Sequence, residues 1–101
     1  MTPADLRNTN WDRLQSGLQG RLLEIYHVWK THGPGTTRAV AARSSRDILS
    51  LRPRTTDLYK LGLVDLIGSV PGDGGVYRAR DRSEWETWQA RHSIVNQLNL
   101  L

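Results

Sequence analysis

The pentapeptide Pro71-Gly72-Asp73-Gly74-Gly75 leaves the backbone little choice but to reverse. Glycine reaches positive φ without steric cost and proline pre-sets a turn, so extended chain on either side folds back on itself. The flanking residues suit that geometry. Leu63-Val64-Asp65-Leu66-Ile67 is strand-like, and Val76-Tyr77-Arg78-Ala79-Arg80 alternates Val76, Arg78 and Arg80 against Tyr77 and Ala79. A two-stranded hairpin is the expected result.

The chain before the hairpin reads as helices. Leu22, Ile25, Tyr26 and Trp29 recur at i, i+3, i+4 and i+7, and Ser16 and Gln19 stand at capping-box spacing ahead of them. Gly33 and Pro34 end this helix near His32. Thr36 or Thr37 can cap a short second helix running to about Arg43, whose Ala39, Val40, Ala41 and Ala42 permit close packing. Ser44, Ser45 and Arg46 break the apolar pattern and form a turn.

A third helix, from about Ile48 to Leu61, can turn Leu51, Thr55, Leu58 and Leu61 toward one core, with Asp47 or Ser50 as its cap. Pro53 costs about 3 kcal/mol in a helix interior but is tolerated in the first turn, which moves the expected start to near Ser50. Gly62 ends the helix. Beyond the hairpin, Ser83-Glu84-Trp85-Glu86 has the form of a capping box, opening a helix with Trp85, Trp88, Val95 and Leu98 along one side. The expected organisation is a partly helical lead-in over 1–15, one domain over 16–82 and an amphipathic C-terminal helix over 83–101.

With 101 residues there is material for a single modest core, and four Trp, three Tyr and many Leu supply apolar area to bury. The absence of cysteine excludes disulfides and thiolate metal sites. No apolar run is long enough for a membrane span and no secretory signal is visible, so a cytoplasmic location is expected. Charge is unevenly spread. The net charge is +4, and residues 38–60 hold six basic and two acidic residues, so the whole excess lies there. Twelve of the fourteen basic residues are Arg, whose planar fork suits phosphate and guanine.

The order helix, short helix, basic helix, hairpin resembles that of a winged helix-turn-helix domain, an α+β, mostly helical fold with a three-helix core and a β wing. The resemblance is carried by Gly33-Pro34, Thr36 leading into Val40-Ala41, Ser50-Leu51-Arg52-Pro53-Arg54, Asp57-Leu58, Leu61-Gly62-Leu63-Val64 and the glycine-rich tip at 72–75. It covers about 60 residues, from near Leu22 to Arg80, and looks like that of small winged-helix proteins of bacteria and their phages. One departure stands at 44–46, where such proteins place Leu-Gly and a further apolar residue.

The resemblance implies sequence-specific binding of double-stranded DNA, with residues 50–61 in the major groove, by a transcriptional or replication regulator. If Leu51, Thr55 and Leu58 face inward, then Arg52, Pro53, Thr56, Asp57 and Lys60 face outward, with Arg54 at the flank. Arg52 suits a guanine edge, Thr56 a thymine methyl or a phosphate, and Arg54 and Lys60 phosphates. Arg38, Arg43 and Arg46 can extend the same patch, and Arg78 and Arg80 can run along the backbone beside the wing. Ordinary solvated arginines have the same appearance in sequence. Asp73 opposes phosphate and is better read as a turn former.

The four tryptophans fit core or interface better than a stacking surface for single strands. A homodimer through Trp85, Trp88, Val95 and Leu98 is expected, doubling the base-reading surface. Neither catalysis nor a cofactor is indicated. His27 and His32 are five apart, which does not put two ligands on one helix face, His92 is isolated, and there is no phosphate loop. No small-molecule ligand is evident either. The rival reading is a protein-interaction module that keeps the fold and uses its C-terminal helix to bind another protein.

Overall fold

The structure, a computed structural model, describes residues 11–14, 16–18 and 20–100, the last eight by their backbone only. A helical stretch at 11–14 comes first. There follow α1 (Gly20–His32), β1 (Gly35–Thr36), α2 (Thr37–Ser44), α3 (Ile48–Lys60), β2 (Val64–Val70), β3 (Gly74–Ala79) and α4 (Arg82–Leu100). This is the winged helix-turn-helix order, with one strand more than expected. The sheet is antiparallel in the order β1-β3-β2, and Gly35 and Thr36 pair with Tyr77 and Val76. Two residues carry no periodicity of their own, and only the neighbouring β3 makes them a strand.

The core lies where α1, α2 and α3 meet the sheet. Ile25, Trp29, Val40, Leu51, Leu58, Leu63 and Val64 are fully enclosed. Two polar groups are buried with them and satisfy each other. The Trp29 indole N–H donates to Thr55 Oγ1 at 2.9 Å, and that hydroxyl donates to the Leu51 carbonyl at 2.8 Å. Thr55 therefore costs little as a core residue, since an unpaired hydroxyl there would forfeit about 1–3 kcal/mol.

Several boundaries differ from the sequence expectation for identifiable reasons. α3 begins at Ile48, not near Ser50, because the Asp47 carboxylate caps it by accepting from the Leu49 amide at 2.9 Å. Pro53 consequently lies inside the helix, in its second turn. Having no N–H, it cannot bond the carbonyl of Leu49. α3 also ends one residue early, so Leu61 turns partly outward instead of joining the core.

The C-terminal helix is capped by Asp81 and Glu84, not by Ser83 and Glu86. The Glu84 amide donates to Asp81 Oδ1 at 2.8 Å, and the Asp81 amide returns a bond to Glu84 Oε1 at 3.3 Å. Glu86 instead pairs with Arg82 one turn away, at 3.3 Å. The proposed Ser16–Gln19 box cannot be compared, because Gln19 lies outside the described residues.

α2 and α3 end in the same way with different residues. After α2 the Ser45 and Arg46 amides bond the Ala42 and Ala41 carbonyls, with Ser45 left-handed at φ 57°. After α3 the Gly62 and Leu63 amides bond the Tyr59 and Leu58 carbonyls, with Gly62 at φ 79°. Both are Schellman closures. The glycine-free turn between α2 and α3 is thus made by a serine in a conformation that side chains disfavour.

In the wing, Leu66 pairs with Tyr77 but Gly68 with Val76, so Ile67 is an extra residue bulged from the ladder.

Candidate nucleic-acid interface

α3 is held by its buried stripe, Leu51, Thr55 and Leu58, and its orientation fixes what the other side presents. Arg52, Pro53, Arg54, Thr56, Tyr59 and Lys60 are all exposed. Thr56 donates to the Arg52 carbonyl at 3.3 Å, leaving its methyl and oxygen lone pairs outward. Arg54 lies 3.9 Å from Asp57, a loose surface pair of little energetic weight. Arg52 lines a cleft of about 270 Å³ between α3 and the inner side of the wing, together with Thr56, Tyr77 and Asp73. Among the described residues neither Arg52 nor Lys60 has a carboxylate partner.

Leu49 belongs to the same region and was not singled out by sequence reasoning. It is 72% exposed, beside Ser50, Pro53, Arg54 and Arg21. The signal was available, because Leu49 precedes Leu51 by two residues and so falls about 200° around the helix from the core stripe.

The other arginines are engaged to different degrees. Arg38, at the start of α2, has its Nε 3.2 Å from Asp73 Oδ1. Among the described residues that oxygen has no hydrogen-bond donor, so the attraction is electrostatic. The second carboxylate oxygen accepts from the Thr36 hydroxyl at 2.6 Å, and the same hydroxyl oxygen caps α2 by accepting from the Ala39 amide at 3.1 Å. Asp73 is therefore more than a turn former. It ties the wing tip to the N-terminus of α2, where a negative charge is favoured.

Arg43 donates to the carbonyls of His32 and Pro34 at 2.9 and 2.7 Å and so clips the loop before β1. Arg46, in the turn between α2 and α3, pairs with Glu24 of α1 at 2.6 Å. Arg78 is paired with Glu84 at the base of the wing.

Arg80 departs furthest from the expected phosphate contact. Its side chain is 16% exposed and pairs with Asp65 at 3.0 Å. It also donates to the carbonyls of Gly62 and Val64, and lies 5.8 Å from the centre of the Trp88 ring. A guanidinium so surrounded joins the end of α3, the start of β2 and α4.

The tryptophans of α4 likewise face their own domain. Trp85 is 4% exposed, meets Trp11 edge-on at 5.5 Å and donates its indole N–H to the Leu61 carbonyl at 2.9 Å. It is a core residue of the chain, with little surface left to offer the expected dimer interface. Trp88 packs over Gly62, where a Cβ would come within 2.2 Å of its ring, and stacks on His92 at 4.1 Å. The side chains of Val95 and Leu98 lie outside the described residues.

Tyr26 completes this side. Its hydroxyl donates to the Arg80 carbonyl at 2.6 Å. Burial, with the nearby Asp81 and Glu84 charges, pushes its pKa up to about 12. Among the described residues no group of three or more His, Asp or Glu could hold a metal ion, and no helix is long and apolar enough to cross a membrane.

No protein-family model matches the chain, and no curated protein matches it. Among solved structures it is similar to the crystal structure of a MarR family transcription regulator, at 17% identity and a TM-score of 0.56. The superposition covers 98% of this chain and 69% of that one. At such identity the likeness concerns the fold, and it agrees with the element order derived above.

Proposed function

We propose that this chain binds double-stranded DNA sequence-specifically, as a small regulator of the kind found in bacteria and their phages, by laying α3 in the major groove. One observation carries the reading. The outward side of the helix in the recognition position presents Arg52, Thr56 and Lys60, and neither cation is neutralised by a carboxylate among the described residues. In a winged helix that side faces the duplex.

Arg52 reaches a base edge, with guanine as the preferred partner, while Arg54 and Lys60 meet phosphates. Arg38 and Arg46 add to the field at its margins, partly offset by Asp73 and Glu24. Arg43, Arg78 and Arg80 maintain the frame instead of touching DNA. Homodimerisation through α4 would draw on the partly buried Trp88, because Trp85 is enclosed within the chain.

A salt titration of duplex binding tests the reading. Four to six phosphate contacts give a log–log slope of about −4 to −5, each contributing about 0.9. A slope near zero, or no binding to any duplex, overturns it. The rival reading as a protein-interaction module is favoured by one feature, the half-exposed Leu66, Ile67 and Val70 on the edge strand β2. It predicts salt-independent capture of a protein partner.

A further inference from the structure

Leu49 has no structural reason to be where it is. A single exposed leucine is ordinary on a protein surface. This one stands in the first turn of α3, with Pro53 exposed one turn further on, and residues four apart lie on one helix face. The two form an apolar step on an otherwise polar surface.

Arg21 and Arg54 line the same shallow groove of about 420 Å³, and Arg52 is adjacent on the helix. Among the described residues lining this groove the one carboxylate, Asp47, is directed at the Leu49 amide as the helix cap, and Asp57 further along α3 stands only loosely beside Arg54, at 3.9 Å. An apolar step ringed by three cations is complementary to a surface that is anionic at its rims and apolar at one point within. A second copy docked through this same face would set these arginines against their own kind and be repelled. Duplex DNA matches: its phosphates border the major groove, and thymine alone among the four bases displays a methyl group there. The N-terminal residues of a recognition helix are the ones that reach base edges.

We infer that Leu49, backed by Pro53, is a specificity-determining residue that packs on the 5-methyl group of one thymine in the target, while Arg21 and Arg54 meet the phosphates alongside. The inference rests on the DNA-binding reading and names part of the sequence that is read. Loss of contact with one methyl group, about 0.8 kcal/mol, corresponds to about a fourfold change in affinity.

The test begins with sequences selected by the 101-residue chain from a random duplex pool. Each thymine of the selected site is replaced singly by uracil, which removes the methyl group and keeps the pairing. Affinities of the wild type and of Leu49→Ala are measured at fixed salt, with thermal midpoints as the check on folding. One thymine is expected to show about a fourfold loss in the wild type and none in Leu49→Ala, while the salt slope is unchanged. If uracil is tolerated everywhere, or if both proteins are equally sensitive to it, the inference falls and DNA binding stands. If no salt-dependent duplex binding occurs, both fall together. A change in self-association of Leu49→Ala, without a change in uracil sensitivity, assigns the step to a second copy and also overturns the inference.

Discussion

Arg52 and Arg80 are the same residue type in similarly basic stretches, yet the fold uses them in opposite ways. Arg52 extends from the exposed side of α3 with no carboxylate partner among the described residues. Arg80 is enclosed at the base of the wing, with two backbone carbonyls, Asp65 and the Trp88 ring around it. Charge counting treats them alike. What separates them is desolvation: a guanidinium taken from water needs partners of its own, and one so engaged has fewer donors to offer phosphate. The recognition side and the wing base are therefore separable by mutation.

The sharpest separation comes from Arg80→Ala. It should lower the unfolding free energy by about 2–3 kcal/mol, because Asp65 and two carbonyls lose their donor. Denaturant unfolding measures this, and a loss below about 0.5 kcal/mol would remove the distinction between the two regions. Next is Arg52→Ala, expected to weaken binding to the selected site by about 1–3 kcal/mol while leaving non-specific affinity and the unfolding midpoint nearly unchanged. Equal loss on all duplexes would reduce Arg52 to a phosphate contact.

A smaller effect is expected at Tyr26, whose hydroxyl bonds the Arg80 carbonyl. Tyr26→Phe should cost about 1 kcal/mol. The folded pKa, about 12, lies above the ordinary 10.0, so the folded state holds its proton more tightly than the unfolded one. This contribution is fully present below pH 10 and is lost as pH rises toward 12. The difference between wild type and Tyr26→Phe should narrow over that interval. The smallest change is Arg78→Ala, which removes a half-exposed pair with Glu84 and should cost about 0.2–1 kcal/mol without altering the salt slope of DNA binding.

Much of the frame was legible in the residues. The Gly-Pro break, the 71–75 tip and the stripes Leu22-Ile25-Tyr26-Trp29 and Leu51-Thr55-Leu58 each impose a local geometry that the tertiary structure keeps. Errors arose where two local solutions competed. Asp47 and Ser50 could both cap α3, and the proline rule favoured Ser50; the aspartate cap prevailed and left Pro53 in the interior. Ser83-x-x-Glu86 and Asp81-x-x-Glu84 overlap as capping boxes, and Arg78 and Arg82, each holding one of the two glutamates, are consistent with the second. Which arginines are enclosed was not legible, since that depends on partners from β2, α3 and α4 meeting in space. The same holds for Asp73, whose partners Thr36 and Arg38 stand more than 30 positions away.

The two Schellman closures differ in how freely their residue can be exchanged. Position 45 is constrained only by its backbone angle, so glycine or asparagine should serve at least as well as serine. Position 62 is constrained twice, by φ 79° and by the Trp88 ring that fills the space of a Cβ. Under random mutagenesis the first closure should drift among a few residue types. The second should remain glycine for as long as α4 packs where it does, and its loss would report on the docking of α4 more than on the turn itself.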